Sequence, residues 1–299
     1  MNIKSTFIYG VLLGVLGIIL FSSKAVMVKL AYKYNIDALS MLLLRMFFAF
    51  PFYVVIAAYY SRKDTKVTIT KKDRFWLVFF GFVGYYLASY FDFVGLTYIK
   101  ASLERIILFV YPTIVLLFNK WFLRQQITKH QKLAILITYL GILITFGSEV
   151  QLSGNNTYLG GFLVLLSALT YASYLVGSGW LIPKFGVMRF TAYAMLVSCL
   201  CVFIHYLIFS RVDVYNYPWQ VYMLGLGIAI FATVIPSFLV SISIKMISSS
   251  NFAVIAGVGP ISTIILAVLC LDEQLTLVQI LGTAVVIFGI ALISKNKSK

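Results

Sequence analysis

The chain has 299 residues, of which 62% are hydrophobic and only 11% are charged. A soluble domain carries about 25% charged residues, so this composition excludes a cytosolic enzyme, a secreted domain and a disordered regulator. Since a membrane-spanning helix needs about 20 apolar residues, the apolar content suffices for roughly ten such helices. The net charge of +15 does not indicate a nucleic-acid partner, because the basic residues lie mainly in short gaps between apolar runs.

Ten apolar segments follow one another and predict an all-α polytopic membrane protein, whose partner is the lipid bilayer. The predicted spans cover residues 7–31, 38–60, 75–97, 102–123, 132–150, 158–182, 189–210, 219–242, 249–270 and 276–294. The first run, from Phe7 to Ala31, is long for a signal peptide and has no cleavage site before Lys24. We therefore interpret it as a first membrane helix that stays in the protein.

Basic residues are distributed unequally over the two sides that successive links would face. With the N-terminus inside, 17 Lys and Arg residues lie on the inner side and 5 on the outer side, while Lys24 and Arg45 lie within spans. An excess of Lys and Arg marks the cytoplasmic side of a membrane protein. The sequence therefore predicts a protein of the cytoplasmic membrane with both termini in the cytoplasm.

The two halves of the chain resemble each other at an offset of 148 residues. The matching pairs are Pro112 and Pro260, Leu123 and Leu271, Gln126 and Gln274, Thr128 and Thr276, Gln131 and Gln279, and Gly141 and Gly289. Residues 1–150 and 151–299 are thus predicted to be two five-helix repeats of one membrane domain. Because five is odd, the repeats are inverted, an architecture that many secondary transporters use with a substrate site between the halves.

A motif near the end of the second repeat resembles a known family. The run Leu271-Asp272-Glu273-Gln274-Leu275-Thr276, followed by Gln279, Gly282 and Gly289, is similar to the ending of EamA-type repeats of the drug/metabolite transporter superfamily. Pro260 resembles the proline of that family's ninth helix, and Arg45 resembles the arginine of its second helix. The run Phe21-Ser22-Ser23 occupies the place of its first-helix motif.

The resemblance covers essentially the whole chain and carries functional expectations. It implies a secondary transporter that moves a small organic metabolite by alternating access, most commonly by exporting amino acids or related carboxylates. Two positions depart from the family pattern, since Arg124-Gln125 replaces the acidic motif in the first repeat and Lys24 follows the first-helix serines. These departures concern the substrate more than the fold.

Four charged residues lie inside the predicted spans, where an ionisable side chain is by default a functional-site candidate. Lys24, Arg45 and Asp92 share a similar depth, and Glu104 is predicted to be shallower. One interpretation is an ion-pair network, with Lys24 or Arg45 paired to Asp92, that only locks helices together. The other leaves a cation for the substrate, since a guanidinium holds a carboxylate bidentately and a buried lysine titrates readily.

Tyrosines form a second group of candidates. Tyr86 and Tyr90 lie four residues apart in the third span, and Tyr171 and Tyr174 lie deep in the sixth. A tyrosine hydroxyl at that depth needs a partner. We expect these four tyrosines and the three deeper charged residues to line one water-accessible substrate cavity between the halves.

Glycine and proline predict breaks in three spans. Pro112, Pro236 and the run Gly257-Val258-Gly259-Pro260 interrupt the predicted fourth, eighth and ninth helices. A break at membrane depth is tolerated only where protein or water covers the freed carbonyl groups. These residues are therefore predicted to be hinges or parts of the cavity wall.

The sequence contains no Walker, HExxH or GxSxG motif, and its three cysteines lack metal-ligand spacing. It predicts a transporter that is not an enzyme, has a small-molecule substrate, and uses no cofactor or metal. The alternative is a membrane-embedded enzyme acting on a lipid-linked substrate, for which Asp272-Glu273 is the only adjacent acidic pair.

Overall fold

The computed structural model describes residues 3–61, 69–123, 132–133, 136–137, 139–144, 156–210 and 212–295, which are helical apart from short links. The helices are α1 (Ile3–Tyr32), α2 (Ala38–Ser61), α3 (Lys71–Tyr98), α4 (Ala101–Leu108), α5 (Tyr111–Leu123), α6 (Asn156–Phe185), α7 (Val187–Phe209), α8 (Trp219–Ile247), α9 (Ser249–Ile255), α10 (Val258–Leu271) and α11 (Leu277–Lys295). This confirms the all-helical class.

Within those ranges, eight helical stretches are long and apolar enough to cross a membrane. They are Thr6–Tyr32, Ala38–Ser61, Lys71–Tyr98, Ala101–Phe122, Asn156–Phe185, Val187–Phe209, Trp219–Ile247 and Ser249–Leu271. The apolar stretch Leu277–Phe288 of α11 is shorter, and most of the predicted fifth span, 132–150, lies outside the described residues. The multi-pass helical fold is confirmed, and the count of ten spans stays a prediction.

Short links make successive membrane-crossing stretches antiparallel, so the bundle has two ends. We call the end where α2 meets α3, α6 meets α7 and α8 meets α9 the basic end, because it carries Lys184, Arg189 and Lys245. The ammonium of Lys184 lies 2.6 Å from a carboxylate oxygen of Asp73 and ties α6 to α3 there. At this end a single residue, Gly186, separates α6 from α7. So short a link is possible because Gly186 adopts a φ of 78°, which glycine tolerates without strain.

The core lies between helices of the two predicted repeats. α1 packs against α8 and α10, α2 packs against α7, and α3 packs against α6. Glycine permits the closest of these approaches, since a Cβ atom on Gly84 of α3 would lie 2.1 Å from the Cβ atom of Tyr174 on α6. Large apolar side chains such as Leu207 remain exposed on the exterior, as expected for a surface that faces lipid.

Irregular backbone recurs in the two halves at matching positions. α3 widens to a π-helix over Phe82–Leu87 and α8 does so over Ile230–Val234, and their first residues are 148 positions apart. The helix breaks also correspond, because α4 ends at Leu108 and α9 ends at Ile255, 147 positions later. These irregularities follow nearly the same offset as the sequence repeat.

The predicted hinge residues lie next to these irregular segments. Pro112 is the second residue of α5, and Gly257 forms the break before α10, which contains Gly259 and Pro260 near its start. In α8 the π segment Ile230–Val234 interrupts the regular α-helix, and Pro236 is the second residue of the α-helical part Ile235–Ile247 that follows. A proline in the first turn of a helical segment is well tolerated. The role of these residues as hinges stays a prediction.

Glu273 joins the link after α10 to the start of α4. Its carboxylate accepts hydrogen bonds from the Ala101 amide (2.9 Å), the Ser102 amide (3.2 Å) and the Ser102 hydroxyl (2.6 Å). Asp272 ends α10 in the left-handed conformation, with a φ of 55°. A carboxylate at a helix N-terminus satisfies free amide groups and offsets the helix dipole. The Glu273 motif residue thus connects the two halves at the end opposite the basic end.

We predict that Glu273→Ala lowers the melting temperature of the purified protein by several degrees. Losing the cap removes hydrogen bonds worth about 1–2 kcal/mol in total. Thermal unfolding in detergent measures the effect, with Asp213→Ala, a change in an exposed link, as the matched control. Equal melting temperatures for the two variants would contradict this role.

Candidate functional site

A small cavity of about 70 Å³ lies inside the bundle between the two halves. Its polar lining residues are Lys24, Arg45, Tyr85, Ser89, Arg105, Tyr111, Ser167 and Tyr171. Phe21, Phe109 and Phe252 are among the apolar side chains that complete the wall. A cavity of this size has room for a few water molecules or a small polar group. It is therefore a narrow site rather than a wide channel.

Arg45 is the central charged residue of this cavity. Its side chain leaves α2 and is only 2% exposed. The guanidinium donates hydrogen bonds from Nε to the Thr233 hydroxyl (2.7 Å) and from Nη1 to the Ser89 hydroxyl (3.0 Å). It also lies 5.4 Å from the centre of the Phe93 ring. Since Thr233 belongs to the π segment of α8 and Ser89 follows the π segment of α3, Arg45 bridges the two irregular segments.

Neutral groups hold Arg45 in place. Across the described ranges of the chain, no carboxylate lies within 4.0 Å of its guanidinium. Asp92 instead binds Lys24, whose ammonium lies 2.5 Å from Asp92 Oδ2. Of the two pairings that the sequence allows for Asp92, the structure contains the one with Lys24. A buried guanidinium held only by hydroxyl groups retains an unbalanced positive charge, which favours an anionic ligand.

Glu104 and Arg105 extend the charged layer. Glu104 is fully buried, deeper than the sequence indicated, and its carboxyl group interacts electrostatically with that of Asp92. The Arg105 Nε atom lies 3.7 Å from Glu104 Oε2, and Nη2 donates to the Phe21 carbonyl (3.3 Å). Arg105 was counted with the outer link in the sequence, but the break after Leu108 turns it towards the cavity. Its position beside Glu104 in an otherwise apolar segment was the available signal.

The four candidate tyrosines separate into two groups. Tyr171 lines the cavity, and its ring lies 6.2 Å from that of Tyr174, which in turn contacts Tyr85 at 4.6 Å. Tyr86 and Tyr90 point elsewhere, towards His205 of α7. The Tyr86 hydroxyl lies 2.9 Å from His205 Nδ1, and the Tyr90 ring lies 4.7 Å from the imidazole.

Tyr86 and Tyr90 therefore do not join the cavity, and Tyr174 and Asp92 are not among its lining residues either, contrary to the expectation that all four tyrosines and Asp92 line it. Tyr86 and Tyr90 lie on a different side of α3 from Tyr85 and Ser89, which do line the cavity. Tyr85 lines the cavity where Tyr86 was predicted to do so. Neighbouring residues of a helix point in directions about 100° apart, and the π segment shifts the helical register at this point.

The break before α10 is covered by polar groups of α1. The Ser22 hydroxyl lies 3.2 Å from the Gly259 carbonyl oxygen and 2.8 Å from that of Ile18. In return, the Thr263 hydroxyl donates to the Ser22 carbonyl (3.3 Å). The serine of the first-helix motif is thus hydrogen-bonded to the beginning of α10, directly after the break.

A second and larger cavity opens at the basic end. It has a volume of about 630 Å³ and lies where α1, α2, α7 and α8 meet. Tyr60, Phe185, Met188, Arg189 and Lys245 are among its lining residues. Its volume is in the range of small-molecule pockets, and its basic lining attracts anions.

Comparison with known proteins gives consistent results over the full chain. The model of the EamA-like transporter family matches residues 8–147 and 158–295. The chain is similar to the uncharacterized transporter YcbK of Bacillus subtilis (strain 168), with 31% identity over 97% of this chain and 94% of that protein. The uncharacterized transporter YetK of the same organism is 24% identical over 74% of this chain and 68% of that protein. A protein crystal structure has the same fold, with a TM-score of 0.71 over 96% of each chain and 14% identity.

We predict that Lys24→Met destabilises the protein and that the double substitution Lys24→Met with Asp92→Asn restores most of the loss. Removing one partner of a buried ion pair leaves an uncompensated charge and costs about 3 kcal/mol or more, whereas two neutral side chains leave none. Thermal unfolding of the three variants in detergent measures the coupling. If the double variant loses as much stability as the two single variants together, the ion pair does not contribute to stability.

Proposed function

We propose, since the chain belongs to the EamA-like transporter family, that this membrane transporter carries a small organic carboxylate by alternating access. The substrate class is an amino acid or a related carboxylate, and the direction is export across the cytoplasmic membrane. The observation that carries the proposal is the buried guanidinium of Arg45 in a cavity between the halves.

The chemistry of Arg45 supports a carboxylate ligand. An arginine inside a membrane bundle needs an anionic or strongly polar partner, and Arg45 has two hydroxyl partners and the Phe93 ring. A guanidinium presents parallel N–H groups that match the two oxygens of a carboxylate. Arg105 lines the same cavity and raises its affinity for a negative group, whereas the charge of Lys24 is balanced by Asp92.

The arrangement of irregular backbone supports alternating access. The paired π segments and paired helix breaks surround the cavity, and each pair has one member in each predicted repeat. In inverted repeats, each half can adopt the conformation that the other half holds. Hinges at corresponding positions would let the cavity open first to one end of the bundle and then to the other.

The two ends of the bundle support loading from the basic end. Glu273 closes the opposite end by capping α4, while the 630 Å³ cavity opens at the basic end. The excess of Lys and Arg assigns the basic end to the cytoplasm. A transporter in this conformation would receive substrate from the cytoplasm, which fits export.

We predict that Arg45→Lys reduces transport roughly tenfold or more while the protein still folds and inserts. Lysine keeps the charge but loses the bidentate geometry that a carboxylate needs. The measurement is flux of a mixture of labelled proteinogenic amino acids and hydroxy acids in proteoliposomes. Lys33→Gln, at an exposed position outside the cavity, is the matched control. Normal flux in Arg45→Lys would contradict the carboxylate contact.

The orientation of the protein in the membrane can be tested by labelling. Single cysteines at Lys33 and Asp213 should react with an impermeant thiol reagent from outside intact cells, whereas a cysteine at Lys72 should react only after permeabilisation. All three positions are exposed in the structure, so burial does not decide their reactivity. The background is a variant without Cys199, Cys201 and Cys270. The reverse labelling pattern would place the basic end outside.

A further inference from the structure

The buried carboxyl groups of Asp92 and Glu104 form a site that the proposed substrate does not explain. Asp92 extends from α3 and Glu104 from α4, and both are essentially inaccessible to solvent. Their carboxyl groups lie close enough to interact electrostatically. No amide or hydroxyl group of the described residues donates to any of their four oxygens. The cations of the described residues within 4.0 Å of the pair are Lys24, beside Asp92, and Arg105, beside Glu104.

Two carboxylates in contact repel each other strongly at low dielectric. A hydrogen bond between two carboxyl groups also needs a proton, because an ionised carboxylate can only accept. One proton on the pair removes this repulsion and supplies a donor that the described residues around these oxygens do not provide. The arrangement of the surrounding cations decides which carboxyl group holds the proton.

The charged and titratable groups around the pair come from α1, from α2 and from α4 itself. Lys24 and Tyr32 extend from α1, Arg45 from α2 and Arg105 from α4. Lys24 is the closest, at 2.5 Å from Asp92 Oδ2. The Arg105 Nε atom is 3.7 Å from Glu104 and forms no hydrogen bond. Asp92 is therefore the better balanced anion, and Glu104 has the looser ion pair, with Arg105 at 3.7 Å.

We propose that Glu104 is a proton-binding site, protonated in this conformation and donating its hydrogen bond to the Asp92 carboxylate. Lys24 and Asp92 then neutralise each other, and Glu104 is neutral. Arg45 and Arg105 remain as cations on the cavity wall. The site does not depend on transport activity, whereas its role in coupling rests on the proposed function.

The position of Arg105 links the proton to the substrate. When Glu104 loses its proton, its carboxylate becomes a competitor for Arg105, which lines the cavity. The cavity then has one cation fewer to bind a substrate carboxylate. By thermodynamic reciprocity, binding of the anion raises the proton affinity of Glu104. The proton and the carboxylate should accordingly bind together and move together, so an export step carries one proton outward with the anion.

Infrared spectroscopy tests the proton site without a substrate. Purified protein in an ester-free detergent should show the C=O stretch of a protonated carboxylic acid at neutral pH, shifted in ²H₂O. That band should disappear in Glu104→Gln and persist in Asp213→Asn, whose carboxylate is exposed. A band of unchanged intensity in Glu104→Gln, or no band in the wild-type protein, would overturn the assignment.

Stability supplies an independent readout. An amide has the shape of a protonated carboxylic acid and can donate to Asp92, so Glu104→Gln should melt within a few degrees of the wild-type protein. Glu104→Ala should melt lower, because it leaves Asp92 without this donor and creates a cavity. Failure of Glu104→Gln to fold would mean that Glu104 is needed as a charged group, and would overturn the proposal.

Proteoliposomes test the coupling. With an acidic exterior, the wild-type protein should take up the labelled carboxylate mixture faster than without a pH gradient, and Glu104→Gln should transport without responding to the gradient. A full response in Glu104→Gln would overturn the coupling. If the wild-type protein moves none of the mixture, the substrate class in the proposed function fails, while the infrared result still decides the proton site.

Discussion

The interior of this bundle depends on one constraint, which is that a charge removed from water must be balanced by neighbouring groups. Five charged side chains share one layer between the halves: Lys24, Arg45, Asp92, Glu104 and Arg105. Lys24 and Asp92 balance each other at 2.5 Å. Arg45 is held by hydroxyl groups, which orient its guanidinium without neutralising it. The cavity lies beside the charges that remain unbalanced, and this gives the site its preference for an anion.

The irregular backbone segments are subject to the same constraint, because their polar groups are also removed from water. Carbonyl groups freed by a π segment or a break are unfavourable at membrane depth unless a polar group covers them. Ser22 covers the Gly259 carbonyl, and the Ser167 hydroxyl donates to the Ala88 carbonyl (2.8 Å) just after the π segment of α3. These small hydroxyl residues allow the helices to bend around the cavity. A cavity, its charges and its possible hinges therefore occur in one region of the fold.

Contacts between the halves hold both ends of the bundle together. Glu273 fixes the start of α4 at one end through a charged cap. At the basic end, the corresponding contact between halves is a hydrogen bond between neutral groups, from the Asn119 amide to the Ser250 hydroxyl (2.8 Å). A charged contact between the halves is present at the basic end as well, because Lys184 of α6 lies 2.6 Å from a carboxylate oxygen of Asp73 on α3. Both ends are therefore held by hydrogen bonds to charged groups, which are stronger than those between neutral groups.

The sequence by itself determined the class of this protein and the candidates for its site. Low charge, regular apolar runs and the Glu273 motif indicated a multi-pass helical transporter of the EamA type, because the bilayer restricts a spanning chain to apolar helices. Lys24, Arg45 and Asp92 were recognisable because charges are rare within spans.

Only the tertiary structure decided which partner each charge takes and which tyrosines reach the cavity. Asp92 binds Lys24 rather than Arg45, Glu104 is buried against Asp92, and Tyr85 lines the site instead of Tyr86. Depth along a span follows from counting residues, whereas the direction of a side chain depends on helix rotation. That rotation is set by packing between distant segments, and π turns and breaks shift it by amounts that helical periodicity does not contain.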